Sequence, residues 1–174
     1  MKKVYLLTGK PGTGKTSLIK QTIATIKGKA GGFYTEEIKD QGVRQGFKLV
    51  TLRGQEAIMA HVNIHSRYRV GKYGVDIESF ERVGISELQI AAEECDVIVI
   101  DEIGKMELYS PRFGETVWQI IKSGKKILGT IMLNSHPWVD EIKSYPNVNI
   151  ITVTRDNNER ILEEIKGWLE TSGD

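Results

Sequence analysis

Eight consecutive residues, Gly9-Lys10-Pro11-Gly12-Thr13-Gly14-Lys15-Thr16, satisfy every position of the pattern G-x-x-x-x-G-K-[ST]. Each fixed residue type has a chemical reason. Glycine at 9, 12 and 14 permits backbone angles and close approaches that a β-carbon blocks. Successive N–H groups then turn inward as an anion nest at the positive end of a helix. In that nest Lys15 carries a charge to the β- and γ-phosphates of a nucleotide, and the Thr16 hydroxyl is a ligand for Mg²⁺. A second centre is Asp101-Glu102, which follows the apolar run Val97-Ile98-Val99-Ile100. An aspartate at such a strand end holds the shell of a phosphate-bound Mg²⁺, as Walker B aspartates do. A carboxylate beside it orients and deprotonates an attacking water.

Both centres need elements to carry them. Val4-Tyr5-Leu6-Leu7 reads as a buried strand feeding the glycine loop, and Ser17 to Ile26 as the helix that the loop opens; this flanking is what a working phosphate loop requires. Asp96 to Asp101 reads as a strand buried on both faces and ending at the acids. Gly104 then turns the chain, bringing Lys105 and Glu107 back toward the phosphates. Ile85, Leu88, Ala92 and Cys95 recur at helical spacing, as do Phe113, Val117, Ile120 and Ile121 behind the Ser110-Pro111 start signal. Lys126 to Leu133 and Val148 to Val153 read as strands, with a short helix opened by Ser135, His136 and Pro137 between them. Asp156-x-x-Glu159 resembles a capping box for a last helix that buries Ile161, Leu162, Ile165, Trp168 and Leu169.

Strands alternating with helices predict a three-layer α/β fold around a mostly parallel sheet. Gly32 to Lys39 and Gly46 to Leu52, joined by Asp40-Gln41-Gly42, predict a β-hairpin, and Gln55 to Val62 a further strand. These antiparallel strands are expected at one sheet edge. Asn63 to Val83 reads as loop with strand pieces around Val70 to Val75.

The 174 residues suit a single domain spanning 1–174, and 40% hydrophobic with 27% charged residues lie near globular averages. A net charge of +1 gives no bulk field toward nucleic acid or an anionic membrane, so neither partner is expected. The lone Cys95 suits a reduced, cytoplasmic setting. No apolar run approaches the length of a membrane span, and Met1-Lys2-Lys3 runs straight into the first strand, leaving no room for a leader. The expected assembly is a monomer or weak oligomer.

The phosphate loop, Gly32-Phe33-Tyr34-Thr35-Glu36-Glu37, Val70-Gly71-Lys72-Tyr73-Gly74-Val75-Asp76 and Asp101-Glu102-Ile103-Gly104-Lys105-Met106-Glu107-Leu108 occur in this order. Together they resemble the THEP-type nucleoside-triphosphatases over almost the whole chain. The resemblance implies Mg²⁺-dependent hydrolysis of ATP, GTP and other NTPs, broad base tolerance and slow turnover. It also implies a RecA-like sheet in which a strand, here Lys126 to Leu133, separates the phosphate-loop strand from the Asp101 strand. The candidate nucleotide-side residues are then Gly9, Lys10, Pro11, Gly12, Thr13, Gly14, Lys15, Thr16 and Ser17. Val99, Ile100, Asp101, Glu102, Ile103, Gly104, Lys105 and Met106 join them, with Arg155 near the base. Thr16 and Asp101 are the candidate metal ligands; Glu102, Lys15 and Lys105 are the candidate catalytic groups.

Lys105, Arg112 and Arg155 are alternative cations for the transition-state charge. No Asn-Lys-x-Asp guanine reader occurs, which suits weak base selectivity. His61, His65 and His136 lack metal spacing with one another or with Cys95. Trp118, Trp138 and Trp168 fit helix packing, and Glu36, Glu37 and Arg44 fit solvated strand faces. Arg67, Arg69, Lys72 and Arg82 form a basic cluster able to receive a second anionic substrate, so a kinase is the competing reading. A nucleotide-dependent switch acting with a partner is a third.

Overall fold

The structure, a computed structural model, describes residues 1–171. Its strands are β1 (Val4–Thr8), β2 (Ala30–Asp40), β3 (Val43–Thr51), β4 (Glu56–His61), β5 (Arg69–Val70), β6 (Tyr73–Val75), β7 (Val97–Ile103), β8 (Lys126–Ile131) and β9 (Val148–Thr152). All of them join one sheet in the order β5-β6-β4-β3-β2-β7-β8-β1-β9. The stretch β2-β7-β8-β1-β9 is parallel, and β3, β4, β5 and β6 add to it antiparallel. β8 therefore separates β1 from β7, as expected, and the antiparallel strands occupy one edge. β2 belongs to both parts. Its first residues, Ala30 to Phe33, pair parallel with β7, and from Phe33 onward it pairs antiparallel with β3.

The helices are α1 (Lys15–Ile23), α2 (Ile77–Ser79), α3 (Ser86–Glu94), α4 (Pro111–Lys122), α5 (Pro137–Ser144) and α6 (Asn158–Glu170). Alternate residues of the parallel strands serve opposite faces. Leu7, Val99 and Leu128 pack with Leu18 and Ile19 of α1 and with Ile161, Ile165 and Trp168 of α6. Leu6, Ile98, Ile100 and Ile127 pack with Leu88 of α3, Phe113, Val117 and Ile120 of α4 and Ile142 of α5. Two helical layers thus sandwich the sheet. No helix among the described residues is long and apolar enough to cross a membrane.

Several boundaries differ from the sequence reading. α1 begins at Lys15, directly on the loop, and closes early because Thr25 and Ile26 bond back three residues to Thr22 and Ile23. Ile77 to Val83, read as loop, is helical. Asp76 starts it by accepting from the Ser79 amide at 3.0 Å, and a π-helical turn, Phe80–Ile85, leads into α3. That wider turn buries both Phe80 and Ile85. β7 continues through the acids to Ile103 instead of ending at Asp101. The capping box at Asp156 is not formed: α6 starts after Asn157, whose side chain is bonded within the preceding loop. Ser110 does cap α4, accepting from the Phe113 amide at 3.2 Å.

Phe80 is fully buried, with its ring 5.9 Å from that of Phe33 and 5.5 Å from that of Phe113. It joins the antiparallel edge to the helical layer. Phe80→Ala is expected to lower unfolding free energy by about 3–5 kcal/mol in urea denaturation. A loss below about 1 kcal/mol would contradict this packing.

Candidate active site

β1 delivers the chain into the glycine loop, where Gly9, Gly12 and Gly14 have φ of 148°, 79° and 94°. At Gly9 the requirement is doubled, because a Cβ would lie 2.6 Å from the Val153 carbonyl oxygen. The loop is braced from within. Lys15 Nζ donates to the Gly9 and Lys10 carbonyls at 2.7 and 3.1 Å, and the Thr13 hydroxyl donates to Lys10 O at 2.9 Å. It is also braced from outside: Asn158 Nδ2, at the start of α6, donates to Thr13 O at 3.1 Å and to Thr154 O at 2.5 Å. Gly14 N-caps α1 with no side-chain cap, leaving the first amides of that helix to a ligand. Ser17 lies exposed on α1 and accepts from Gln21.

β7 carries one more residue than β8 between Ile100 and Ile103, which pair with Gly129 and Ile131. Such a bulge re-aims side chains at the strand end. Asp101 and Glu102, joined by a cis peptide, sit in it. Asp101 is 1% exposed, and its Oδ1 accepts a 2.6 Å hydrogen bond from the Thr130 hydroxyl. Its Oδ2 is buried without a hydrogen-bond partner. Burial pushes the Asp101 carboxyl above the usual range, while the hydroxyls of Thr130 and Thr16, the Thr35 amide and the Lys15 charge favour the ionised form. Mg²⁺ fits this donor set. A buried carboxylate oxygen lacking a donor, beside a threonine hydroxyl at the phosphate loop, is hard-oxygen ligation of the kind that ion takes.

Glu102 is raised too, first by burial and then by Asp101, with Lys15 opposing. Gly104 packs under it so closely that a Cβ there would collide with Glu102 Oε1. Glu107, in the 3₁₀ turn Glu107–Tyr109, is 4% exposed with Oε2 unpartnered. Burial and the neighbouring Glu102 and Asp101 raise its carboxyl well above the ordinary range.

A cavity of about 420 Å³ unites these groups. Gly9, Pro11, Lys15, Glu102, Lys105, Met106 and Glu107 line it, together with Thr35, Arg44, Phe47, Met59, Val70 and the segment Ile131 to Asn134. A larger cleft, about 650 Å³, lies at the amino ends of the parallel strands among Lys3, Asp96 and Lys125, remote from the phosphate loop. Among the other candidates, Val99, Ile100 and Ile103 are core residues at 0, 0 and 1% exposure. They position the strand end and present no side chain to a nucleotide. Arg112 pairs with Glu81 at 3.7 Å on the helix flank and does not line the cavity. Arg155 is exposed after β9, also outside it.

The basic cluster is not brought to the site either. Arg67 bonds Tyr68, Arg69 bonds the Ile64 and Lys72 carbonyls, and neither they nor Lys72 and Arg82 line the cavity. Arg44, read as a solvated strand residue, lines it instead, its Nε bonded to the Tyr73 hydroxyl at 2.9 Å. Thr130 and Asn158 were not singled out from the sequence, since no local motif marks a residue whose partner lies across the sheet. His61 and His136 use Nδ1 to accept from the Asn63 and Trp138 amides, so both have local structural roles.

The chain matches the protein family described as NTPase over residues 4–166. It is 46% identical over 165 residues to nucleoside-triphosphatase THEP1 of Thermotoga sp. (strain RQ2), covering 95% of this chain and 94% of that one. The chain belongs to the THEP1 nucleoside-triphosphatase family. The mouse cancer-related nucleoside-triphosphatase homolog is 36% identical, with 99% of each chain covered. The THEP1 crystal structure from Aquifex aeolicus superposes with a TM-score of 0.90 at 38% identity, covering 97% of this chain and 99% of that one. The solution structure of a human cancer-related nucleoside triphosphatase gives 0.81 at 36% identity, with 99% of each chain covered. The nine-stranded mixed sheet is thus a family fold, and the enzyme class is nucleoside-triphosphatase.

The buried carboxyls of this THEP1-family site make stability pH-dependent in a defined direction. The folded state holds the Glu107 proton to higher pH than the unfolded chain does. Raising pH above the ordinary value of 4.5 therefore costs stability until the folded group ionises. Glu107→Gln removes that loss, so in thermal melts the variant should gain on the wild type progressively as pH rises from about 4.5. A difference constant across pH would refute the assignment of a buried protonated Glu107.

Proposed function

We propose that this enzyme hydrolyses nucleoside 5′-triphosphates, ATP, GTP, CTP, UTP and their deoxy forms alike, to diphosphate and phosphate, slowly and with Mg²⁺. The reading rests on one observation: Lys15 and Glu102 line the same cavity at the carboxyl ends of β1 and β7. A triphosphate tail held by the loop amides places its γ-phosphorus between them.

The loop amides and Lys15 bind the β- and γ-phosphates. A phosphate oxygen replaces the Gly9 and Lys10 carbonyls as the acceptor of the Lys15 ammonium, since a charge-assisted bond is about twice as strong as one to a neutral carbonyl. Thr16 would bind Mg²⁺ directly and Asp101 through its water shell, and the ion would supply positive charge against the phosphates. Thr130 keeps Asp101 oriented through its 2.6 Å bond. Glu102 accepts the proton of the attacking water, and burial raises its affinity for that proton toward the range useful at neutral pH. Lys105 at the cavity rim is the cation for the developing charge; a mobile exposed lysine is a weaker device than a fixed arginine, which supports slow turnover.

Base tolerance is supported by the loop after β9. Its fixed polar groups are bonded among themselves: the Thr154 amide to Asn157 Oδ1 at 2.8 Å, Asn157 Nδ2 to Thr152 O at 2.9 Å, and Asn158 to Thr154 O. Only the exposed Arg155 and Asp156 side chains remain to meet a base, and flexible side chains discriminate poorly. The lone Cys95 supports a reduced cytoplasmic setting.

Glu102→Gln is expected to keep nucleotide affinity and to lower kcat by about 10²–10⁴-fold; near-wild-type turnover would remove Glu102 as the base. Lys105→Ala should lower kcat by about 10²-fold, whereas Arg112→Ala should leave it unchanged. The reverse result would move the transition-state cation to α4. A hydrolysis panel of eight common ribo- and deoxyribonucleotides, with and without Mg²⁺, tests the substrate range, and strong preference for one base would refute the tolerance.

A further inference from the structure

We propose that the cavity beyond Lys15 and Glu102 is a second-substrate pocket, in which an alcohol with a compact apolar body receives the γ-phosphoryl group in place of water. The proposal rests on the nucleotide site as read above. Size is the first observation. The end of the triphosphate tail shares this cavity with the attacking water, which needs roughly 30 Å³, yet the whole measures about 420 Å³ and its walls run past Lys15 and Glu102 to Phe47, Met59 and Val70, within the range of small-molecule sites.

The second observation is where its walls come from. Phe47, Met59 and Val70 belong to β3, β4 and β5, the antiparallel edge that the phosphate loop and Asp101 do not need. Ile131 of β8 and Leu133 close the other side, and Leu133 is an apolar residue 49% exposed at the mouth. A pocket that serves water alone has no use for an apolar wall. The third observation is Glu107, more than nine-tenths buried with an unpartnered Oε2 in a carboxyl that lines this cavity. An alcohol hydroxyl supplies the hydrogen-bond partner that this carboxyl lacks. None of the four cations of residues 67–82 lines the pocket; beyond Lys15 its cations are Arg44, whose Nε is bonded to the Tyr73 hydroxyl, and Lys105 at the rim.

The step balances without another reagent. The hydroxyl O–H breaks with its proton passing to Glu102, the oxygen bonds the γ-phosphorus, and the β–γ bridging bond breaks with its electron pair leaving on the nucleoside diphosphate. The products are a phosphomonoester and NDP, and Glu102 returns its proton to solvent.

The test is phosphorus NMR of the full chain turning over MgATP with millimolar benzyl alcohol, and with glycerol as a polar comparator. Benzyl phosphate is expected at least about tenfold above the share set by the mole fraction of the alcohol in water, the mark of a bound and oriented acceptor. Glycerol should stay at its mole-fraction share. Val70→Trp and the surface substitution Leu133→Trp, which narrow the pocket without touching the phosphate loop, should abolish the excess ester while ADP still forms. Benzyl phosphate at only its mole-fraction share in the wild type, ester formation equal for glycerol, or an excess that survives both substitutions would overturn the proposal. Absence of ADP under all conditions would instead strike the hydrolase reading beneath it.

Discussion

The short hydrogen bond from Thr130 to Asp101, 2.6 Å and fully buried, is the contact on which the site depends. It exists because β8 lies between β1 and β7 in a register that sets Leu7 beside Thr130 and Ile100 beside Gly129. Three parallel strands therefore end at one level. The glycine loop leaves from the first, the threonine sits on the second, and the acids sit on the third. Binding crevices in open α/β sheets lie at such carboxyl ends. Here the placement also answers an electrostatic problem, because a carboxylate without exposure needs donors and cations to remain ionised.

Three carboxyls, Asp101, Glu102 and Glu107, share a small volume: burial raises the proton affinity of each, Asp101 adds to that of Glu102, and both add to that of Glu107. A protein selected for stability alone has no reason to keep them together. Their persistence is understandable if a cation and a polyanion complete the site, since each buried charge then meets an opposite one. The same cluster explains the construction around it. Gly104 leaves room for Glu102, and the bulge at Asp101-Glu102 breaks the strict alternation of faces that a regular strand imposes.

The antiparallel edge stands in a different relation to the chemistry. The parallel strands carry the phosphate loop and the acids. β3 to β6 add a wall. They pack on the core through Leu49, Met59 and Phe80, and carry a small cluster of their own around Ala60, Tyr73 and Val75. Arg44 stacks over Phe47 and bonds Tyr73 there, so its charge is spent partly on holding the wall together. Met106, from the turn after the acids, packs on the same cluster. The wall and the turn after the acids are therefore mechanically joined.

The phosphate loop, the acids at the end of β7, the alternation of strands and helices and the hairpin were all legible in the chain itself. Each depends on neighbours in sequence: positive φ at Gly9, Gly12 and Gly14, a four-residue apolar run before two acids, a turn at Gln41-Gly42, proline after a serine cap. The loop assigned to residues 77–83 missed a helix because Phe80 and Ile85 are helical only when two layers cover them. The cluster Arg67 to Arg82 misled for a related reason: closeness in sequence to a motif says nothing about which way a short edge strand faces. Thr130 against Asp101, Asn158 against Thr13 and Arg44 in the cavity wall were decided only by the fold. These partners are joined by register and packing summed over many residues, and a register shift of one residue would turn each side chain to the other face. Local backbone demands are written in adjacent residues, whereas the meeting of distant ones is a property of the assembled sheet.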